Sequence, residues 1–170
     1  MQLNKQNLLK NLLFSVVIAA SACEPVFAEL KPGEAFPDLA TYKLEGKLPD
    51  SLTNKVVIVD FWASWCEPCK ESFPALNELH KKYSSRGLVI IAVNVDEERA
   101  DMENFLKQHP ASFPVVRDAA QKLVAKAGVK TMPGSFVLDG AGKVRFVHSG
   151  FHGDKTKKQY EEQVESLLKK

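Results

Sequence analysis

A chain of 170 residues accommodates one domain and is short for two. Its 45% hydrophobic and 26% charged residues are those of an ordinary globular protein. The net charge is only +2 and no basic stripe interleaved with aromatics occurs, which speaks against a nucleic-acid partner.

The first residues differ in character from the rest. Lys5 and Lys10 precede and enter an apolar stretch whose core, LLFSVVIAASA, covers residues 12–22. That run is too short to cross a hydrocarbon layer of about 30 Å as a stable helix. CEPVFA follows, with Val26 and Ala28 two apart after Pro25. The pattern predicts a secretory leader over residues 1–28, cleaved after Ala28, and hence a periplasmic or otherwise extracytoplasmic protein. Two alternatives stand beside it: an uncleaved anchor, and lipid attachment at Cys23, which follows the small residues of ASAC and would tether the protein to a membrane. Cleavage after Ala28 would remove Cys23 and leave Cys66 and Cys69 as an isolated pair. Outside the cytosol such a pair can be oxidised and stay so.

The domain is expected over residues 29–170. ELKPGEAFP (29–37) reads as an irregular lead-in, and residues 38–55 as short strands or a hairpin around Gly46. VVIVDFWA (56–63) is a dense run of β-branched and aromatic residues, the signature of a strand buried on both faces. Phe73, Leu76, Leu79 and Tyr83 recur on one helical face over residues 70–87, with Pro74 as an internal kink and Gly87 as the stop. LVIIAVNVD (88–96) is a second buried strand, and Asp96 is placed to cap a helix over EERADMENFLKQH. FPVVRD (113–118) is a short strand, AAQKLVAKAGV a short helix leaving at Gly128. GSFVLD and KVRFVHSGF flank a glycine turn and form an antiparallel hairpin. A closing amphipathic helix uses Tyr160, Val164, Leu167 and Leu168. This order predicts an α/β fold with a mixed central sheet and helices on both faces.

The chemistry centres on FWASWCEPCK (61–70). Three readings of its cysteines compete. A disulfide staple three residues wide would stabilise by only about 1.9 kcal/mol through loop entropy. A structural zinc site needs four ligands, whereas the histidines His80, His109, His148 and His152 are scattered and read as surface residues. A copper-carrying CxxC module needs fewer ligands and stays open. The redox reading accounts for more. Cys66 stands where a buried strand gives way to a helix, whose unpaired N–H groups and dipole favour a thiolate. Cys69 lies one turn in, on the same face. Pro68 suits the first turn, where its missing N–H costs nothing. Glu67 places a negative charge beside the pair and opposes thiolate formation, which points to a reductant more than a strong oxidant.

VVIVDFWASWCEPCKESFPAL resembles the active-site strand and helix of thioredoxin-like proteins. TMPGSFVLDGAGKV (131–144) resembles their second hallmark, a cis-proline loop followed by a hairpin. The leader, the N-terminal extension and CEPC point to the TlpA-like branch of extracytoplasmic thiol–disulfide reductases. The resemblance covers residues 30–170 and implies a thioredoxin fold. It implies Cys66 as attacking nucleophile, Cys69 as resolving thiol and a redox-active disulfide between them. Pro133 would be cis and packed against that disulfide, and the backbone of Met132 would pair with a substrate strand. Trp65, Glu67, Pro68, Met132 and Pro133 would form the substrate-binding surface, with Trp65 shielding the disulfide or simply packed. Asp60 corresponds to the buried acid that exchanges a proton with Cys69, with a strand-end structural carboxylate as its alternative role.

Two positions depart from the family pattern. Ala92 aligns where thioredoxins place a lysine near the buried acid, so Asp60 is expected to lack a counter-ion and to have a raised pKa. Gly134 follows the cis-proline where threonine is usual, and is expected to widen or loosen the substrate groove. The resemblance also implies the partners: disulfide-containing proteins, with cytochrome c apoprotein as the branch's example, and a membrane electron donor. The expected state is a monomer with no dissolved cofactor and no metal. A disulfide-forming oxidase is the same chemistry run backwards.

Overall fold

Every residue of Val56–Trp62 is buried, as its unbroken apolar run requires of a strand covered on both sides. The computed structural model describes residues 28–169, so the leader expectation, Cys23 included, lies outside the described residues. The elements in chain order are β1 (Glu45–Gly46), β2 (Val56–Trp62), α1 (Glu67–Tyr83), β3 (Leu88–Asn94), α2 (Arg99–Gln108), β4 (Val115–Arg117), α3 (Lys122–Ala127), β5 (Gly134–Leu138), β6 (Val144–Ser149) and α4 (Asp154–Leu168).

The strands form one sheet in the order β1-β4-β3-β2-β5-β6. β2, β3 and β4 run parallel, while β1, β5 and β6 pair antiparallel with their neighbours. The sheet is therefore mixed, as the element order predicts. Right-handed crossovers through α1 and α2 step outward from β2, which puts both helices on one face. There Trp62 packs edge-on to Phe73 of α1 at 4.8 Å and meets Phe105 of α2 at 4.5 Å. α4 joins them: Tyr83 donates to Glu165 at 2.7 Å, Lys82 pairs with Glu161, and Lys157 with Glu78. The crossover through α3 runs back toward β5, so α3 covers the opposite face. On that face Phe61, Phe136 and Phe36 stack in sequence, bringing in the N-terminal lead-in. Helices thus flank both faces.

Helix α1 continues unbroken through Pro74 and passes into a 3-10 turn over Ser84–Arg86. Gly87 ends it with φ +106°, a conformation that costs a residue with a Cβ.

Of the short strands or hairpin expected around Gly46, a short strand forms: Glu45–Gly46 adds a two-residue edge strand to β4, held by Glu45 accepting from Arg117 and Arg99 at 2.9 and 2.7 Å. Two expectations need correction. Asp96 does not cap α2, whose first turn has Glu98 at its N-cap and no side-chain cap bond. His148 is buried, with Nε2 2.8 Å from Gln163 Oε1 and its ring 4.6 Å from that of Tyr160.

Candidate active site

Strand β2 delivers the site. Its last residue is Trp62; Ala63, Ser64 and Trp65 turn the chain, and Cys66 is the N-cap of α1. No side chain caps that terminus. The positive end of the helix therefore bears on the Cys66 sulfur. Glu67 and Pro68 occupy the first two helical positions. Cys66 and Cys69 are joined as a disulfide, with sulfurs 2.04 Å and Cα atoms 5.3 Å apart. Cys66 retains slight exposure at 4%, whereas Cys69 has none.

The turn is held from the sheet. Buried Asp96, just past β3, accepts from the Ser64 N–H and hydroxyl, each at 3.1 Å, and from Asn94 Nδ2 at 2.8 Å. Arg117 of β4 donates to the carbonyl oxygens of Asp96 and Glu97 at 3.2 and 2.6 Å. The carboxylate read as a helix cap is instead a clamp on the turn that presents Trp65 and Cys66. A helix starting three residues later leaves it out of reach of the cap position.

Asp60 is fully buried within β2, between Ala92 of β3 and Ser135 of β5. Ser135 Oγ donates to Asp60 Oδ1 at 2.6 Å and lies 2.7 Å from Tyr160 Oη. Asp60 Oδ2 has no hydrogen-bond partner among the described residues. Burial pushes the Asp60 carboxyl up to about 7, against a smaller opposing pull from the Ser135 hydrogen bond. The absence of a lysine at position 92 has the consequence expected of it.

The Met132–Pro133 peptide is cis, and Pro133 is buried while Met132 is half-buried. Trp65 is 71% exposed, which rules out ordinary packing as its role. It borders an open groove of about 560 Å3 lined also by Val95, Val129 and Met132, and by the acidic Glu97 and Asp101. The groove is not widened at Gly134. A Cβ there would lie 2.7 Å from Val129 Cγ1 and 2.9 Å from the Thr131 carbonyl oxygen, so Val129 already fills the space a side chain would take. Glu67 is paired with Lys70 at 2.5 Å, which offsets the charge that Glu67 brings to the cysteines.

The structure thus assembles Cys66, Glu67, Pro68 and Cys69 at the head of α1, Trp65 before them, and Met132 and Pro133 on the loop entering β5. Asp60 lies within β2, the strand that leads into this turn. Ser135, Tyr160 and Asp96 complete the surroundings, in roles the sequence pattern does not announce. A serine inside the apolar run GSFVL was the available signal for Ser135. Among the described residues, no group of three or more His, Cys, Asp or Glu could hold a metal ion.

A disulfide at the N-terminus of the helix that follows β2, a buried carboxyl within β2 and a cis-proline just before β5, on this mixed sheet, define a thiol–disulfide oxidoreductase of thioredoxin type. The family description Redoxin matches residues 31–164. The thiol-disulfide oxidoreductase ResA of Bacillus thuringiensis (strain Al Hakam) is 35% identical over 164 residues, covering 94% of this chain and 91% of that protein. ResA of Bacillus subtilis (strain 168) is 34% identical over 123 residues, 71% of this chain and 69% of that protein. Among solved structures, a Chlorobium tepidum protein described as a thiol:disulfide interchange protein DsbE aligns with a TM-score of 0.76 and 40% identity. That alignment covers 82% of this chain and 99% of the other. The chain belongs to the redoxin family, in its ResA-like and TlpA-like thioredoxin branch.

Proposed function

We propose that this protein is an extracytoplasmic disulfide reductase acting on partner proteins, with Cys66 as nucleophile. The asymmetry of the pair carries the reading: Cys66 caps the helix and keeps some exposure, and Cys69 is sealed behind it. In the reduced protein the Cys66 thiolate attacks a substrate disulfide. A bond forms between Cys66 Sγ and one substrate sulfur, and the other sulfur leaves as a thiolate and takes up a proton. Cys69 then loses its proton to Asp60 and attacks Cys66 Sγ, releasing the second substrate sulfur. Two electrons pass from the enzyme dithiol to the substrate, and the Cys66–Cys69 disulfide is restored. A carboxyl that titrates near neutrality is suited to this transfer, since it is strong enough as a base to take the proton and can return it.

Trp65, Glu67, Pro68, Met132 and Pro133 form the docking surface. The Met132 backbone offers hydrogen bonds to an extended substrate strand, and Trp65 supplies an apolar contact. Re-reduction requires an external dithiol, for which a membrane electron donor is the natural source. Apocytochrome c is the substrate class proposed from the branch. Export rests on the leader pattern of residues 1–28. In keeping with cleavage after Ala28, Leu30 N–H already bonds the Ala127 carbonyl at 3.1 Å, two residues beyond the proposed cut.

The test is trapping. The C69S variant, expressed as the full chain, is expected to accumulate disulfide-linked adducts on Cys66 that dithiothreitol releases and that C66S/C69S lacks. Adducts that persist without Cys66 would overturn the assignment. Direction is read separately, from the reduction potential against glutathione. A value near that of the strong oxidants, about −120 mV, would reverse the proposed flow.

A further inference from the structure

Asp60 has one oxygen occupied and one free. Ser135 carries a single hydroxyl proton, and the 2.6 Å contact places it on Asp60 Oδ1. Ser135 Oγ can then only accept from the second hydroxyl it touches, so Tyr160 is the donor of the 2.7 Å contact. The result is a directed chain, Tyr160 to Ser135 to Asp60, spanning α4, β5 and β2. All three residues are essentially buried, at 2%, 1% and 0% exposure. The far end is braced as well: the Tyr160 ring packs against His148, which is bonded to Gln163 of α4.

We propose that Ser135 and Tyr160 are positioning residues for thiol–disulfide exchange, holding Oδ1 of Asp60 in a hydroxyl chain so that Oδ2 is the oxygen that takes and returns the proton. The inference rests on the reading of Asp60 as the proton-transfer group. It extends that reading to two residues on other elements and to one oxygen of the carboxyl. Rotation about the terminal side-chain bond of an unanchored carboxyl would exchange its two oxygens; a hydroxyl donor fixed in the neighbouring strand holds one of them away. The Tyr160 hydroxyl polarises that donor, since linked hydrogen bonds strengthen one another. The chain also supports the ionised carboxylate at a position where β3 supplies only the methyl of Ala92.

The titratable groups around the chain do not confuse its behaviour. Burial raises the Tyr160 phenol far above its ordinary value, helped by the charge of Asp60. Burial lowers His148, with a smaller opposing effect of Gln163. The cysteine pair lies farther along the sequence, at the head of α1.

The experiment follows the Asp60 carboxyl by 13C NMR through a pH titration of the oxidised protein. The pH profile of the resolving step in the reduced protein is measured alongside it. S135A is expected to raise the Asp60 midpoint by about one pH unit, a tenfold gain in proton affinity, because the charged form loses its hydrogen bond. Y160F, which keeps the ring, is expected to move it the same way by a few tenths of a unit. S135T, which restores a hydroxyl, should return it toward the wild-type value. Shifts of this pattern in both the NMR midpoint and the resolving profile support the proposal. Wild-type midpoints in S135A and Y160F, even with lowered melting temperatures, would overturn it and assign the pair a structural role. D60N separates the two readings. If its resolving profile loses the inflection while S135A and Y160F leave it unmoved, only the positioning proposal falls. If D60N keeps the inflection, the reading of Asp60 falls too.

Discussion

Asp60 on β2 stands directly opposite Ala92 on β3, so a buried carboxyl faces a methyl group across the ladder. No cation from that neighbour offsets the cost of burying a charge there, and the carboxyl is pushed up to about 7 from an ordinary 3.8. A folded-state pKa above the unfolded value means the neutral acid is favoured by folding. The associated stability is fully present below about pH 4 and is lost as pH rises through about 7. The D60N variant, which is never charged, should match the oxidised wild type in stability near pH 4. Above pH 8 it should exceed it by roughly 2–4 kcal/mol. Urea denaturation at the two pH values reads this directly. An equal difference at both would show that Asp60 ionises without cost.

The pairing of Glu67 with Lys70 sets a smaller effect of defined sign. K70M leaves the Glu67 carboxylate unopposed beside the head of α1, so the Cys66 thiolate should form at higher pH; E67Q should shift it the other way. Both side chains are partly solvated, at 76% and 39% exposure for Glu67 and Lys70, so shifts of only a few tenths of a pH unit are expected, and less at 1 M salt. Iodoacetamide alkylation rates of the reduced protein against pH measure them. Identical profiles for both variants would remove Glu67 from the electrostatics of the pair.

Trp65 separates docking from chemistry. Its exposed ring contributes little to the core, so W65A should change stability by no more than about 0.5 kcal/mol. It should raise KM for a protein disulfide several-fold and leave the reaction with a small aromatic disulfide nearly unchanged. Equal losses toward both substrates would mean that Trp65 acts on the cysteines and not on the partner.

Gly134 is confined by Val129 and the Thr131 carbonyl. G134A should destabilise the protein by about 1–3 kcal/mol through overpacking. V129A, which removes the nearer contact, should recover part of that loss in the double variant, as read by thermal unfolding. Additive losses would show that the backbone contact with Thr131 dominates.

Much of this arrangement was legible in the chain. The runs at 56–62 and 88–94 carry strand signals so dense that only burial on both faces suits them, and the glycine turn at 140–142 announces a hairpin. CEPC after such a strand already places its first cysteine at a helix start. The errors share a cause. Asp96 precedes a helix as a cap would, but it bonds Ser64, which lies 32 residues earlier just past the end of the neighbouring strand β2. Gly134 is expected to widen or loosen the groove, yet the space a side chain would take is filled by Val129 from the preceding loop. In each case the deciding neighbour is distant in the chain or belongs to a turn whose path periodicity does not describe.

Local patterning therefore determined the elements, their order and the reactive pair, because burial periodicity and helix-start chemistry act over a few residues. Only the tertiary structure decided the hydrogen bonding of Asp60. Ser135 and Tyr160 come from two other elements, and their effect on a carboxyl depends on hydrogen-bond distances and exclusion of water, which exist only once the sheet and α4 have closed around it.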